Sequence, residues 1–239
     1  MNRSSFALVL MSLISVALIF YASHFAMGSL YKIGLENEFK QYEHYVNQTH
    51  SQGVDQSVLD KKYDMLTRVN LLTDQMMVWN QYDPNHLSMA AYTQLLNSYA
   101  NQNLDIYDSF LTEGLMLSNK AIALRPIFPD VHAQKTYLLS SLKYPVEDVF
   151  DQLYTAEKFG RYEEVTTRAG LDFYFAFWGS ITNQDKIKAT RYLLDPEKYG
   201  FAFGNFDRFI ANASYRDKAC NILSISRQSI PACNEKPTK

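Results

Sequence analysis

The chain has 239 residues, with 23 Lys and Arg against 25 Asp and Glu, a net charge of −2. That balance excludes the concentrated basic face of a nucleic-acid binder. Aromatic residues make up 14%, with 17 Tyr and 15 Phe, so core material is ample, while 9 Gly and 7 Pro suit helices better than a turn-rich β-fold.

Residues 1–5 form a short N-terminus ahead of an apolar run. No formal charge lies between Arg3 and Lys32, and Phe6 to Ala22 is interrupted only by Ser12 and Ser15. A helix over 6–31 exceeds the roughly 30 Å hydrocarbon core at about 1.5 Å per residue. Each serine can bond back to a carbonyl one turn earlier, and His24 and Tyr31 fall near the far interface. A cleaved signal peptide is the rival, but its apolar core is shorter and the best cleavage site here, Ala26-Met27-Gly28, is poor. The run reads as an uncleaved transmembrane anchor. Flanking charges are nearly tied between Arg3 and the pair Lys32 and Lys40. The short N-terminus and the two cysteines favour leaving residues 1–5 in the cytoplasm and the bulk of the chain outside.

Past the anchor, Leu35, Phe39, Tyr42 and Val46 repeat at helical spacing, an amphipathic stalk over 32–54 with its break at 49–53. Residues 55–223 then read as helical hairpins. Helices are expected from Gln56 to Asn80 and on to Tyr99 beyond the Asp83-Pro84-Asn85 turn. Leu104–Leu124 and Asp130–Leu142 repeat that layout around Arg125-Pro126. A shift of 45 residues superimposes Pro84 on Pro129 and Tyr92 on Tyr137, a spacing in the range of helical repeats. A third hairpin runs through 146–159 and 162–178. Its stretch 171–178 is apolar nearly all round, so it is buried or covered by a partner. Asp185–Leu194 is a short helix that Pro196 stops. Residues 199–206 form a Gly/aromatic loop, 207–223 a closing helix, and 224–239 a C-terminal tail.

Cys220 and Cys233 are the only cysteines. A pair supplies too few ligands for structural zinc, and no CxxC is present. In an exported domain they read as a disulfide, and in a reducing compartment as two buried thiols. The chain carries no nucleophile elbow, phosphate-cradling glycine loop, HExxH or dinucleotide fingerprint, so no catalytic, cofactor or metal residue is assigned. The five histidines are scattered, and His86 and His132 follow hairpin turns as polar turn contacts. Glu163-Glu164 resembles half of a glycosidase pair, but adjacent helical residues point about 100° apart, which suits a solvated face. Asn47-Gln48-Thr49 and Asn212-Ala213-Ser214 fit the glycosylation pattern, which a chain of this length also yields by chance.

The stretch from Ala121 to Ala133, which ends in ALRPIFPDVHA, resembles the "ALRP-x-WP-x-x-WA" segment of Vps-type polysaccharide biosynthesis accessory proteins. Phe159-Gly160-Arg161-Tyr162-Glu163-Glu164-Val165 with Gly170-Leu171 is similar to that family's next signature, Gly-Pro-aromatic-Glu-Pro before a buried helix. Phe128 and His132 stand where the family has Trp, and Arg161 and Glu164 where it has Pro. The resemblance covers 117–178. It implies a single-pass inner-membrane protein, periplasmic in bulk, that assists exopolysaccharide or O-antigen assembly. Its partners would be inner-membrane assembly proteins (a polymerase, ligase or chain-length regulator), with the bilayer held by residues 6–31.

The expected fold is therefore all-α: a transmembrane anchor followed by a right-handed array of tetratricopeptide-like helical hairpins. The expected role is a non-enzymatic scaffold needing no cofactor. Candidate partner contacts sit at the turns: Arg125, His132, Arg161, Tyr162 and Glu163. The alternative is a glycan-binding or glycan-processing domain using the aromatic stretches 171–178 and 199–206, distinguished by carboxylates and aromatics converging in one cleft.

Overall fold

The computed structural model describes residues 3–49, 55–101, 104–202 and 204–234. The described residues are all-helical, with no strand. The helices are α1 (Arg3–Thr49), α2 (Gln56–Trp79), α3 (Pro84–Ala100), α4 (Leu104–Leu124), α5 (Pro129–Ser141) and α6 (Val146–Gly160). They continue as α7 (Glu164–Ala176), α8 (Asn183–Leu194), a 3-10 turn (Glu197–Tyr199), α9 (Asn205–Asn212), α10 (Arg216–Ile225) and α11 (Pro231–Asn234).

Their ends follow local chemistry. Asp83 accepts from the backbone N–H of Asn85 at 2.7 Å while Pro84 opens α3 without an N–H to orphan. Thr182 and Asp185 form a reciprocal capping box on α8. Pro129 opens α5 as Pro84 opens α3, so the 45-residue shift places two helix starts in register.

α1 is long and apolar enough to cross a bilayer. Leu10, Leu13, Ile14, Val16, Ile19 and Phe20 are exposed around its whole circumference. From His24 onward the helix is covered. The His24 ring meets Trp79 edge-on at 5.2 Å, and Gly28 lies against His86. Leu35, Phe39 and Tyr42 are buried with Met65, Leu66, Val69 and Met76 of α2. The expected stalk is therefore the first packed helix of the domain, because its apolar stripe has α2 to bury against. Residues 10–23 are exposed throughout, and His24 is the first residue the domain half-buries. Of the expected linker only Thr49 is among the described residues.

The remaining helices zigzag. α3 packs more closely on α4 than on α2, and α5 more closely on α6 than on α4. The tight pairs are thus α1/α2, α3/α4 and α5/α6, one helix out of the frame suggested by the Pro-containing turns. The physical reason is that those turns join neighbouring pairs rather than closing a pair. These turns lie side by side at the end of the array facing the apolar half of α1. A Cβ on Gly160 would stand 2.4 Å from the Pro129 Cβ, and one on Gly200, at φ +91°, would meet the Tyr162 carbonyl at 2.5 Å.

The largest core cluster gathers Phe150, Leu153, Leu171, Phe173, Tyr174, Phe175, Tyr192, Tyr199, Phe201 and Phe206. Both aromatic stretches thus spend their rings on packing, and Phe203 lies outside the described residues. The expected closing helix 207–223 is broken, with Ala213 extended at φ −73°, ψ 135° between α9 and α10. The break turns α10 back so that Arg216 Nε donates to the Ala232 carbonyl at 2.8 Å, while Asp207 accepts from the Ala232 N–H at 2.6 Å.

Cys220 and Cys233 are bridged, with Cα atoms 5.5 Å apart. The bond pins α11 to α10. Alkylation of the native protein without reductant should leave both cysteines unmodified. Reduction should free two thiols and lower the unfolding free energy by about 3 kcal/mol for a loop of this length, as read from denaturant curves with and without reductant.

Candidate functional site

The alternate helices α1, α3, α5, α7 and α9 line one groove with a cavity of about 530 Å³. α3, α5 and α7 each contribute side chains one or two turns apart, as the helical period demands, while α1 supplies Glu43 and α9 Phe209. Tyr92 of α3 crosses to α1, where its hydroxyl donates to the Glu43 carboxylate at 2.7 Å and its ring meets Phe39 edge-on at 4.9 Å. Tyr137 of α5 does the same one layer on, donating to Asp172 of α7 at 2.6 Å. Tyr215 donates to the other Asp172 oxygen at 3.0 Å. The two tyrosines matched by the 45-residue shift thus occupy equivalent places on one wall.

Arg168 of α7 forks onto Glu164 one turn earlier, with Nε at 2.8 Å and Nη2 at 2.6 Å. Its guanidinium carbon lies 5.0 Å above the Phe209 ring and 5.4 Å above Phe201. Ser88 donates to Gln134 at 3.0 Å, tying α3 to α5 along the floor. A second depression of about 230 Å³ shares Tyr92 and Gln134 and extends the groove towards Lys32 and Glu36. Three carboxylates, Glu43, Glu164 and Asp172, face one guanidinium in the main cavity. Tyr99 stands at the rim, 53% exposed.

Burial pushes the Asp172 carboxyl above its ordinary range, opposed by the hydrogen bonds from Tyr137 and Tyr215. Burial likewise raises the phenols of Tyr92 and Tyr137, helped by their carboxylate partners. No group of three metal-ligating side chains occurs among the described residues.

The expected contact residues lie elsewhere, at the turns. Arg125 is exposed, its backbone N–H closing α4 onto the Ala121 carbonyl at 2.9 Å and its guanidinium 4.7 Å above Phe128. Arg161 is exposed at the end of α6, and Glu163 is exposed at the start of α7. Tyr162, 57% exposed, stacks on Tyr199 at 5.9 Å. His132 is the correction: it is 5% exposed, too buried for a partner to touch. Its Nε2 donates to the Pro126 carbonyl at 2.9 Å, its Nδ1 is 3.0 Å from the Gln152 amide, and its ring lies against Phe159. His86 is its counterpart, 3.0 Å from the Asn80 carbonyl. Both histidines staple a turn by reaching a carbonyl six residues back.

The groove residues other than Glu164 were invisible as a set. Asp172, a lone charge inside an apolar helix, was the available signal, since a buried carboxylate requires donors. No family model, curated protein or solved structure matches this chain.

The tyrosines give a pH signature. Tyr154 is pushed up to about 12, and Tyr174, Tyr192 and Tyr215 well above their ordinary 10, chiefly by burial and also by neighbouring carboxylates. Raised folded values mean that their stabilisation is fully present below pH 10 and is lost as pH rises through the folded values. Phenolate absorbance of these rings should therefore appear together with loss of helical circular dichroism in an alkaline titration, and not as a separate step in folded protein.

Proposed function

We propose that the chain is a membrane-tethered, non-enzymatic scaffold whose inner groove holds a segment of a partner protein. The observation carrying this is that every other helix, from α1 to α9, contributes to one continuous groove. Alternate helices line the inside when helical hairpins stack as a tetratricopeptide-like array, and such concave surfaces suit an extended peptide or a helix. Three carboxylates against one guanidinium select a segment carrying Lys or Arg, with Tyr92, Tyr99 and Tyr137 offering ring contacts.

The bridged cysteines support an oxidising compartment, and so the periplasmic side of a bacterial inner membrane for the domain. The resemblance of the Ala121–Ala133 and Phe159–Leu171 segments to Vps-type accessory proteins supports a place beside polysaccharide assembly proteins, as polymerase, ligase or chain-length regulator. Arg125, Arg161, Tyr162 and Glu163 then form a second contact edge at the turns.

One observation favours a second reading, a glycan-binding domain. Carboxylates and tyrosines do converge in one cleft, though of 171–178 and 199–206 only Asp172 lines it, and the aromatic rings of those stretches pack in the core.

A photo-crosslinking residue at Tyr99 should capture a membrane-protein partner through a Lys- or Arg-bearing segment, whereas one at Tyr63, on the outer helix α2, should not. Glu43→Lys should lower that yield by about fivefold, since one like-charge contact costs on the order of 1 kcal/mol, whereas Tyr92→Phe, which loses the same hydrogen bond without changing the charge, should lower the melting temperature and keep the yield. Competition of the crosslink by purified polysaccharide with no protein adduct would move the assignment to the glycan reading.

A further inference from the structure

A separate cavity, of about 300 Å³, is built from α6, α8 and the 3-10 turn, none of which lines the groove. Lys158, Arg161 and Arg191 reach it beside Tyr154, Tyr192 and Tyr199. Among the described residues none of these three cations has a carboxylate within 4.0 Å, whereas neighbouring Lys188 is held by Glu157 at 2.8 Å and by Asp185 at 3.7 Å.

The carboxylate in the cavity does not counter this excess. Glu157 accepts the hydroxyls of Tyr174 at 2.6 Å and Tyr192 at 2.8 Å on one oxygen, and the Lys188 ammonium on the other. Lys188 is shared between Glu157 and Asp185, so four cations stand against two carboxylates here and the excess is positive. Tyr154 is likewise turned inward, donating to Asp185 at 3.1 Å, which leaves its ring towards the cavity and the Lys188 ammonium 4.7 Å above it. Lys158 leans over Phe159 at 5.6 Å, a contact that leaves its charge unneutralised. On a chain of net charge −2, three exposed cations around one concave site make a local positive potential that favours an anion.

We propose that this cavity is a binding site for a phosphoryl group. Two arginines and a lysine supply the forked donors and point charge that recognise phosphate oxygens, and the tyrosine rings give an organic substituent a surface to lie on. Arg161 ends α6 beside the Tyr162 turn, at the end of the array that faces the apolar half of α1. A lipid headgroup and a soluble phosphate ester share the required chemistry. The site is independent of the groove and of what the groove holds.

The test uses the full chain in nanodiscs of phosphatidylcholine, titrated calorimetrically with sodium pyrophosphate at constant ionic strength. Saturable one-to-one binding is expected, weakened at least tenfold by Arg161→Gln with Arg191→Gln and unaffected by Lys61→Gln with Lys62→Gln. Should the double variant melt early, Lys158→Gln alone, at an exposed position, is expected to weaken binding severalfold. Absence of saturable heat, or equal affinity in these variants, overturns the proposal. A severalfold loss of pyrophosphate affinity in discs containing phosphatidylglycerol identifies a competing lipid headgroup as the source, and unchanged affinity identifies a soluble phosphate ester.

Discussion

The packing of the second half of α1 onto α2 is the contact on which the rest of the molecule depends. Leu35, Phe39 and Tyr42 are buried there, while residues 10–21 of the same unbroken helix expose apolar side chains on every side. A single unbroken helix is therefore long and apolar enough to cross a bilayer with one half and packs against protein with the other. The domain has no slack tether. His24 against Trp79 and Gly28 against His86 bring the first turn of the array to the place where the apolar half ends.

From that clamp the array grows by a repeated device. A Pro-initiated helix leaves a turn, and a histidine near its start folds back to a carbonyl of that turn: His86 to Asn80 and His132 to Pro126. A tyrosine two turns further along reaches a carboxylate on another inner helix: Tyr92 to Glu43 and Tyr137 to Asp172. These polar links are directional where apolar packing is not, and they tie α3 to α1 and α5 to α7. The same physics makes the groove wall, because the carboxylates that order the layers are the ones that face the cavity.

The other face carries its charge differently. Glu157 is buried, and a buried carboxylate is costly unless it is paired and hydrogen-bonded. Tyr174, Tyr192 and Lys188 meet both requirements and knit α6, α7 and α8 together. That leaves Lys158, Arg161 and Arg191 without carboxylates of their own. One face of the array is thus acidic and aromatic, the other locally basic and aromatic.

Composition and periodicity were enough for the all-α class, the apolar N-terminal helix, the first eight helices to within a few residues, and the cysteine pair. These are short-range properties: a helix is set by its own apolar spacing, its caps and its prolines, and two cysteines 13 residues apart need only one reversal of the chain to meet. The break at Ala213, the packing of the supposed stalk and the frame of the helix pairs were decided by tertiary contacts. So was the assignment of Leu171–Trp178 to the core, since an apolar helix reads the same whether a core or a partner covers it. The groove belongs to this second kind. Glu43, Tyr92, Tyr137 and Asp172 lie on four different helices, separated by up to 49 positions between hydrogen-bonded partners, and only the stacking of alternate helices brings them to one wall.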